Sequence, residues 1–172
     1  MLGGVVVFLL IGASVVLSHK LGHYAVGRHV VGIAAPNIRV VIVGLPQYVA
    51  LRDGQQWVSP LGFEAYLEAY REYDPDESYL LAFLAGGVLA QTASVLVIAG
   101  VAFVVGVSFV GQSAVLASGM LASYQLFSDL GARLHVGTPC GDFSALFEQS
   151  PATTVALLCG FVGSHGLLYS LF

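Results

Sequence analysis

The fold is decided by one apolar stretch near the amino terminus, residues 2–33, which read LGGVVVFLLIGASVVLSHKLGHYAVGRHVVGI. No Lys or Arg precedes Lys20 and no small-residue cleavage signature follows, so the stretch lacks the pattern of a secretory signal. At about 1.5 Å per residue, a helix of this length exceeds the hydrocarbon core of about 30 Å. The sequence therefore predicts a retained membrane helix, with Lys20 and Arg28 at its interfacial end.

The whole chain shares this apolar character. Of its 172 residues, 57% are hydrophobic and 9% are charged, and the mean hydropathy is +0.85. Soluble proteins carry about 25% charged residues. We therefore expect an α-helical integral membrane protein that forms a single membrane-embedded domain over residues 1–172. The net charge of −4 argues against nucleic acid as a partner, and Cys140 and Cys159 are too few for a disulfide framework.

Hydrophobic stretches recur along the chain and predict about four transmembrane helices, at about residues 2–30, 79–105, 112–130 and 152–172. If all four cross the bilayer, the arginines lie on one side, at Arg28, Arg39, Arg52, Arg71 and Arg133. Cytosolic loops carry an excess of Lys and Arg. The sequence therefore predicts a multi-pass protein whose polar side faces the cytosol.

The one large polar segment, residues 34–78, lies between the first two stretches. Residues 38–60 are rich in Val and Ile, and turn signals at Asp53-Gly54 and Gly44-Leu45-Pro46 predict two or three short strands at the membrane surface. Farther along, residues 63–77 carry tyrosines near one helical face and glutamates on another, namely Tyr66, Tyr70, Tyr73, Glu64, Glu68 and Glu72. This pattern suggests an interfacial amphipathic helix, with a solvated linker helix as the alternative.

The residues that carry chemistry are His19-Lys20-Leu21-Gly22-His23. Histidines four residues apart share one helix face and can bind a single metal ion. Ionisable side chains within a membrane helix are costly and are functional candidates. A pair of interfacial histidines bonded to loop carbonyls is the alternative, but the pairing favours a metal site.

Two histidines leave a metal short of ligands, and further candidates are Asp142, Asp129, His135, Cys140 and His29. On a continuous helix, His29 would point away from His23. Asp142 follows the Pro139-Cys140-Gly141 turn on the histidine side, and such a turn at membrane depth must line a protein cavity. We therefore favour Asp142 as the third ligand and rank Asp129 second. Asp142 could also cap a short helix over residues 143–149.

Together these residues resemble the site-2 protease family of membrane-embedded zinc metalloproteases, over roughly residues 5–147. The family carries H-E-x-G-H on one membrane helix; His19, Gly22 and His23 match, and Lys20 replaces the glutamate. The family's small-residue segment is similar to Ala85-Gly86-Gly87-Val88-Leu89-Ala90-Gln91, without its proline. Its third-ligand loop is similar to Pro139–Asp142, but with different spacing and with Phe143 in place of a glycine.

The resemblance implies that His19, His23 and Asp142 hold Zn²⁺ near the cytosolic face. It also implies a membrane-anchored protein substrate that can pair with the strand segment. In this chemistry the motif glutamate takes a proton from zinc-activated water, which the Lys20 ammonium cannot do. The sequence therefore predicts an intramembrane zinc metalloprotease scaffold that is impaired in catalysis. The alternative is a non-catalytic pseudoprotease that binds a substrate or partner helix.

Overall fold

The computed structural model describes residues 2–43 and 46–172. Its helices are α1 (Leu2–Val26), α2 (Phe63–Arg71), α3 (Leu80–Val104), α4 (Ser108–Val136), α5 (Asp142–Gln149) and α6 (Pro151–Ser170). Its strands are β1 (Ile38–Val41), β2 (Tyr48–Asp53) and β3 (Gln56–Val58). A π-helical turn, Gly27–Val31, extends α1, and a 3₁₀ turn, Ala35–Asn37, leads into β1.

The long helices α1, α3, α4 and α6 form a bundle with two distinct ends. At one end Phe109 faces Gly4, and Phe172 lies over both Gly111 and Phe103. The other end carries the sheet, α2 and α5. Glycines bring α1 and α3 together, because a Cβ on Gly22 would collide with the Gly86 carbonyl and one on Gly86 would collide with Val26. Small residues allow such close backbone approach in membrane helix pairs.

The sheet is antiparallel, with strand order β1-β2-β3. A two-residue turn, Gly54-Gln55, joins β2 to β3, and Gly54 has a φ of +55° that L side chains rarely adopt. The predicted Asp53-Gly54 hairpin is therefore confirmed. The other predicted reversal was Gly44-Leu45-Pro46, and two of its residues, Gly44 and Leu45, lie outside the described residues.

The core beneath the sheet consists of large side chains. Ile38 and Leu51 from the strands pack against Tyr70 of α2 and Phe83 of α3. On α2, Tyr66 and Tyr70 are buried whereas the glutamates Glu64 and Glu68 are exposed, so the predicted amphipathic pattern is confirmed. This unit of sheet and α2 lies over the end of the bundle at which α1 finishes and α3 begins.

The structure confirms that the described chain is mostly helical, with a small sheet, as the sequence predicted. Three helices of the described chain are long and apolar enough to cross a membrane: Leu2–Val31, Leu80–Val104 and Pro151–Ser170. The other predicted span, 112–130, falls within α4, which is longer than predicted but too polar to join them. Several of its polar side chains are buried, among them Ser118 within the bundle and Asp129 against α5.

Candidate metal centre

Three predicted ligands come together where α1 meets α5. His19 and His23 lie one turn apart on α1, and their Nε2 atoms are 3.3 Å from each other. Each Nε2 atom is 3.1 Å from Oδ2 of Asp142, the first residue of α5. Both histidines are buried, with exposed fractions of 1% and 5%. The structure thus brings together two imidazole nitrogens and one carboxylate oxygen from residues more than a hundred positions apart.

Hydrogen bonds on the far side of each ring fix the ring orientation. His23 Nδ1 donates to the Phe83 carbonyl at 2.8 Å, and His19 Nδ1 donates to Gln91 Oε1 at 2.9 Å. These assignments follow from the acceptor-only character of the two oxygens. Each Nε2 atom therefore presents its lone pair to Asp142, the tautomer that a metal-binding histidine requires.

Glycine on α3 leaves room for the two rings. A Cβ added at Gly87 would collide with Nε2 of both His23 and His19. The predicted small-residue segment therefore has a specific role in the structure. Gly86 allows α3 to approach α1, and Gly87 lets both ligand nitrogens lie against the α3 backbone.

Asp129 positions Asp142 and lies outside the ligand cluster. Its carboxylate accepts hydrogen bonds from both the backbone N–H, at 2.7 Å, and the hydroxyl of Ser144. Ser144 is in the first turn of α5, where backbone N–H groups have no partner within the helix. Asp129 thus caps α5 from α4, and a Cβ on Gly141 would contact its carboxylate. The sequence ranked Asp129 second as a ligand, but the structure gives it this supporting position.

The electrostatics of Asp142 favour its ionised form. Burial by itself raises the pKa of a carboxyl group. Here His23 and His19 outweigh burial when their rings are protonated, because they then carry positive charge and donate Nε2–H hydrogen bonds to the carboxylate, and together they hold the pKa of Asp142 well below its usual value. Asp142 is therefore a carboxylate, the form that binds metal ions.

The arrangement fits a tetrahedral metal ion. Atoms bound about 2.1 Å from such an ion are about 3.4 Å apart, close to the 3.1–3.3 Å separations of the three ligand atoms. Gln125 also directs its side-chain amide at His19 Nε2, at 3.1 Å. Its Oε1 atom is the one buried side-chain polar atom of the described chain that has no hydrogen-bond partner. An additional polar group at this site would supply that partner.

Lys20 lies next to this cluster. It is partly buried and lines a cavity of about 40 Å³ together with His23, Tyr66 and Asp142. Burial raises the pKa of Tyr66 well above its usual value, so its phenol stays protonated and donates to the Val49 carbonyl. Among the residues that line this cavity, Asp142 is the only carboxylate.

The other sequence candidates lie away from the cluster. His29 and His135 are exposed, and the Cys140 thiol lies 3.3 Å from the Thr138 carbonyl. Sequence reasoning missed the second layer around the site, namely the Phe83 carbonyl, Gln91, Ser118, Gln125 and His165. His165 was detectable in principle, because it is an ionisable residue within a predicted membrane span.

Comparison with known proteins adds no family assignment. No protein-family model matches the chain, and searches of curated proteins and of solved structures found no significant match.

Proposed function

We propose that this chain is a membrane-embedded metal-binding protein of the site-2 protease type, in which His19, His23 and Asp142 hold Zn²⁺. The convergence of their three ligand atoms within 3.3 Å of one another carries the proposal. Three protein ligands with an open fourth position are typical of catalytic zinc sites. Bound zinc would polarise a substrate carbonyl and activate water for peptide hydrolysis.

Lys20 makes hydrolysis inefficient in this proposal. A general base needs a lone pair at a position within reach of the reacting water. The Lys20 ammonium has none, and its positive charge opposes a neighbouring dication. Asp142 is committed to the metal, while Glu64 and Glu68 of α2 are exposed. The described residues around the site therefore offer no substitute for the missing glutamate.

The proposed substrate is a membrane-anchored protein with an extended segment. β1 is an edge strand of the sheet, and it borders a largely apolar groove of about 420 Å³. Residues of α1, of β1 and of the segment after β1 line it, including Ser14, Leu17, Val41 and Ile42. Lys20 lines both this groove and the cavity beside the metal ligands. An extended peptide paired with β1 would therefore run toward the site.

The proposed placement has all four long helices crossing the bilayer. α4 is 29 residues long, or about 43 Å, and runs from the Phe172 end of the bundle to α5. Its polar residues are compatible with crossing, because Ser118 and Asp129 are buried against protein. The sheet end, which carries Arg39 and Arg52, then faces the cytosol.

Cysteine labelling tests this placement. In a Cys140→Ala, Cys159→Ala background, Gln55→Cys lies in the hairpin turn and Val105→Cys in the exposed link between α3 and α4. We expect a membrane-impermeant maleimide to label the two from opposite faces of sealed vesicles. Labelling from one face would contradict the four-helix crossing.

Three forms of position 20 test the function. The chain as it stands, Lys20→Glu and Lys20→Gln are purified, and zinc per protein and cleavage of a single-span reporter in proteoliposomes are measured. Cleavage by the Lys20 form should be near background, since general-base catalysis contributes about 10²–10⁴-fold. Lys20→Glu should raise zinc content and cleavage together. Lys20→Gln should raise zinc content more than cleavage, because it removes the charge but supplies no base.

His19→Ala is the control for every form, and it should abolish zinc binding. Robust cleavage by the Lys20 form that His19→Ala removes would show that another residue acts as the base. Absence of zinc from all three forms would overturn the metal site itself.

A second candidate function is binding without cleavage. The observation that favours it is the cavity lining, in which Lys20 stands beside a single carboxylate that is already a metal ligand. Under this alternative the reporter co-purifies with the chain and Lys20→Glu leaves cleavage at background.

A further inference from the structure

A continuous chain of buried hydrogen bonds leads away from His19 across the bundle. His19 Nδ1 lies 2.9 Å from Gln91 Oε1, and Gln91 Nε2 lies 2.8 Å from the Ser118 hydroxyl and 3.1 Å from its carbonyl. The Ser118 hydroxyl lies 2.8 Å from His165 Nε2, and His165 Nδ1 lies 2.9 Å from the Phe161 carbonyl. These contacts link α1, α3, α4 and α6.

The direction of every bond in this chain is determined. The Phe161 carbonyl only accepts, so His165 carries its proton on Nδ1 and accepts at Nε2. Ser118 must then donate its hydroxyl proton to His165 and accept from the Gln91 amide. Gln91 consequently faces His19 with its oxygen, which accepts the proton of Nδ1. The Nε2 atom of His19 is left with its lone pair directed at the metal cluster.

Burial of the side chains makes it unfavourable to break or reverse these hydrogen bonds. Gln91 and Ser118 are fully buried, and His165 has an exposed fraction of 6%. A hydrogen bond left unmade in such surroundings leaves a buried polar group without a partner, which is unfavourable. These hydrogen bonds reach only one of the two histidines, His19. The other, His23, donates instead to the backbone carbonyl of Phe83.

We infer that Gln91, Ser118 and His165 form a positioning relay that holds His19 in the tautomer able to bind metal. The inference rests on the proposed metal site. Gln91 acts directly on the ring. Ser118 and His165 act through Gln91, since they fix which end of its amide faces His19. Partners of this kind typically change metal affinity by about 10–100-fold.

Zinc affinity, measured by competition with a chelator, tests the relay in the full chain. Gln91→Leu should lower the affinity about 10–100-fold. Gln91→Glu should lose less affinity than Gln91→Leu, because one carboxylate oxygen still accepts from His19 although the other cannot donate to Ser118. His165→Phe should weaken binding less than Gln91→Leu, since Gln91 keeps the Ser118 carbonyl. Thr92→Val is the matched control, because the Thr92 hydroxyl bonds only to Val88 within the same helix.

The tautomer itself is read in metal-free protein by ¹⁵N NMR of labelled histidine. His19 should be protonated on Nδ1 in the starting chain and in Gln91→Glu, and should become a mixture in Gln91→Leu. If the starting chain had no zinc affinity, the metal proposal would be overturned. The NMR measurement would then still test the relay, because it is made on metal-free protein. Unchanged His19 signals in Gln91→Leu, or equal zinc loss in Gln91→Leu and Gln91→Glu, would overturn the relay.

Discussion

The bundle around the metal cluster and the unit of sheet and α2 are packed in opposite ways. Around the cluster, α1 and α3 touch through glycine, and the buried side chains of His19, Gln91 and Ser118 are bonded to one another. Farther along the bundle, small and aliphatic side chains such as Val95 and Ala99 fill the core. Under the sheet, the buried centre consists of large apolar and aromatic side chains, such as Leu51 and Phe83. The first pattern is typical of helices in lipid and the second of a soluble core.

The difference teaches which interactions can hold each region. In the proposed placement the bundle lies in lipid, which is as apolar as leucine, so close approach and internal hydrogen bonds must order it. The sheet unit faces a polar medium in the proposed placement, so burial of apolar area can stabilise it. Phe83 belongs to both regions, because its ring lies in the sheet core while its carbonyl holds His23.

The largest effect should come from the smallest change in the bundle. Gly87→Ala places a Cβ against Nε2 of both histidines, and the clash displaces the ligand atoms themselves. We expect zinc affinity to fall by more than about 100-fold, beyond the usual effect of an outer-layer change. The measurement is zinc per protein after dialysis.

Gly100→Ala is the control for this change. It lies on the same helix, where an added Cβ meets open space, so zinc content should not change. Equal zinc in Gly87→Ala and the starting chain would show that the histidine cluster holds no metal.

Next in size is truncation of the sheet core. Leu51 is fully buried, and Leu51→Ala should destabilise the sheet unit by about 2–5 kcal/mol. The single tryptophan of the chain, Trp57, lies on β3 and reports unfolding of this unit by fluorescence in denaturant. In Leu51→Ala the zinc affinity should stay near its starting value although the free energy of unfolding of the sheet unit falls, since the ligands lie on α1 and α5.

The same truncation on the outer surface of the bundle sharpens the contrast. Leu96 of α3 is 44% exposed, and Leu96→Ala should leave both fluorescence and zinc content near their starting values. A loss of zinc in Leu51→Ala as complete as that in Gly87→Ala would show that the two regions are one cooperative unit.

How far the sequence could predict each region follows from this contrast. The histidine pair, the Asp142 turn and the Asp53-Gly54 hairpin are local patterns, and each was predicted. The partners Gln91, Ser118 and Asp129 were not assigned their roles, because one sequence does not reveal which face of a uniformly apolar helix meets its neighbours. The third predicted span, 112–130, is shorter than α4, in which Asp129 is buried against α5 rather than exposed at a helix end.

Alkaline pH should weaken the sheet unit selectively. Burial, together with the hydrogen bond to Asp74, raises the pKa of Tyr70 above its ordinary value, and burial raises that of Tyr66. A group whose pKa is raised by folding contributes its full stability below the unfolded pKa, which is about 10 for tyrosine, and loses it as pH rises further. The contribution of these two tyrosines should therefore be constant below pH 10 and fall above it, by about 1 kcal/mol per pH unit for each buried tyrosine.

Denaturation followed by Trp57 fluorescence at several pH values checks this slope. Tyr70→Phe removes one titrating group and should make the decline above pH 10 shallower, although it also lowers stability at neutral pH by breaking the bond to Asp74. A decline equally steep in Tyr70→Phe would exclude Tyr70 as its source.

The smallest predicted effect lies where α4 supports α5. In Asp129→Asn, the remaining oxygen can still accept from the Ser144 N–H. The amide nitrogen that replaces the second oxygen cannot accept from the Ser144 hydroxyl, so the capping interaction weakens by about 0.5–2 kcal/mol. Asp142 is the residue that α5 carries into the site, and we expect zinc affinity to fall by about tenfold, measured by chelator competition. Glu148→Gln is the matched control, because it removes only the exposed ion pair with Arg133 and should change affinity by much less. If Asp129→Asn removed zinc as completely as Asp142→Ala, Asp129 would be a ligand after all, and the division between a ligand-bearing α5 and a supporting α4 would fail.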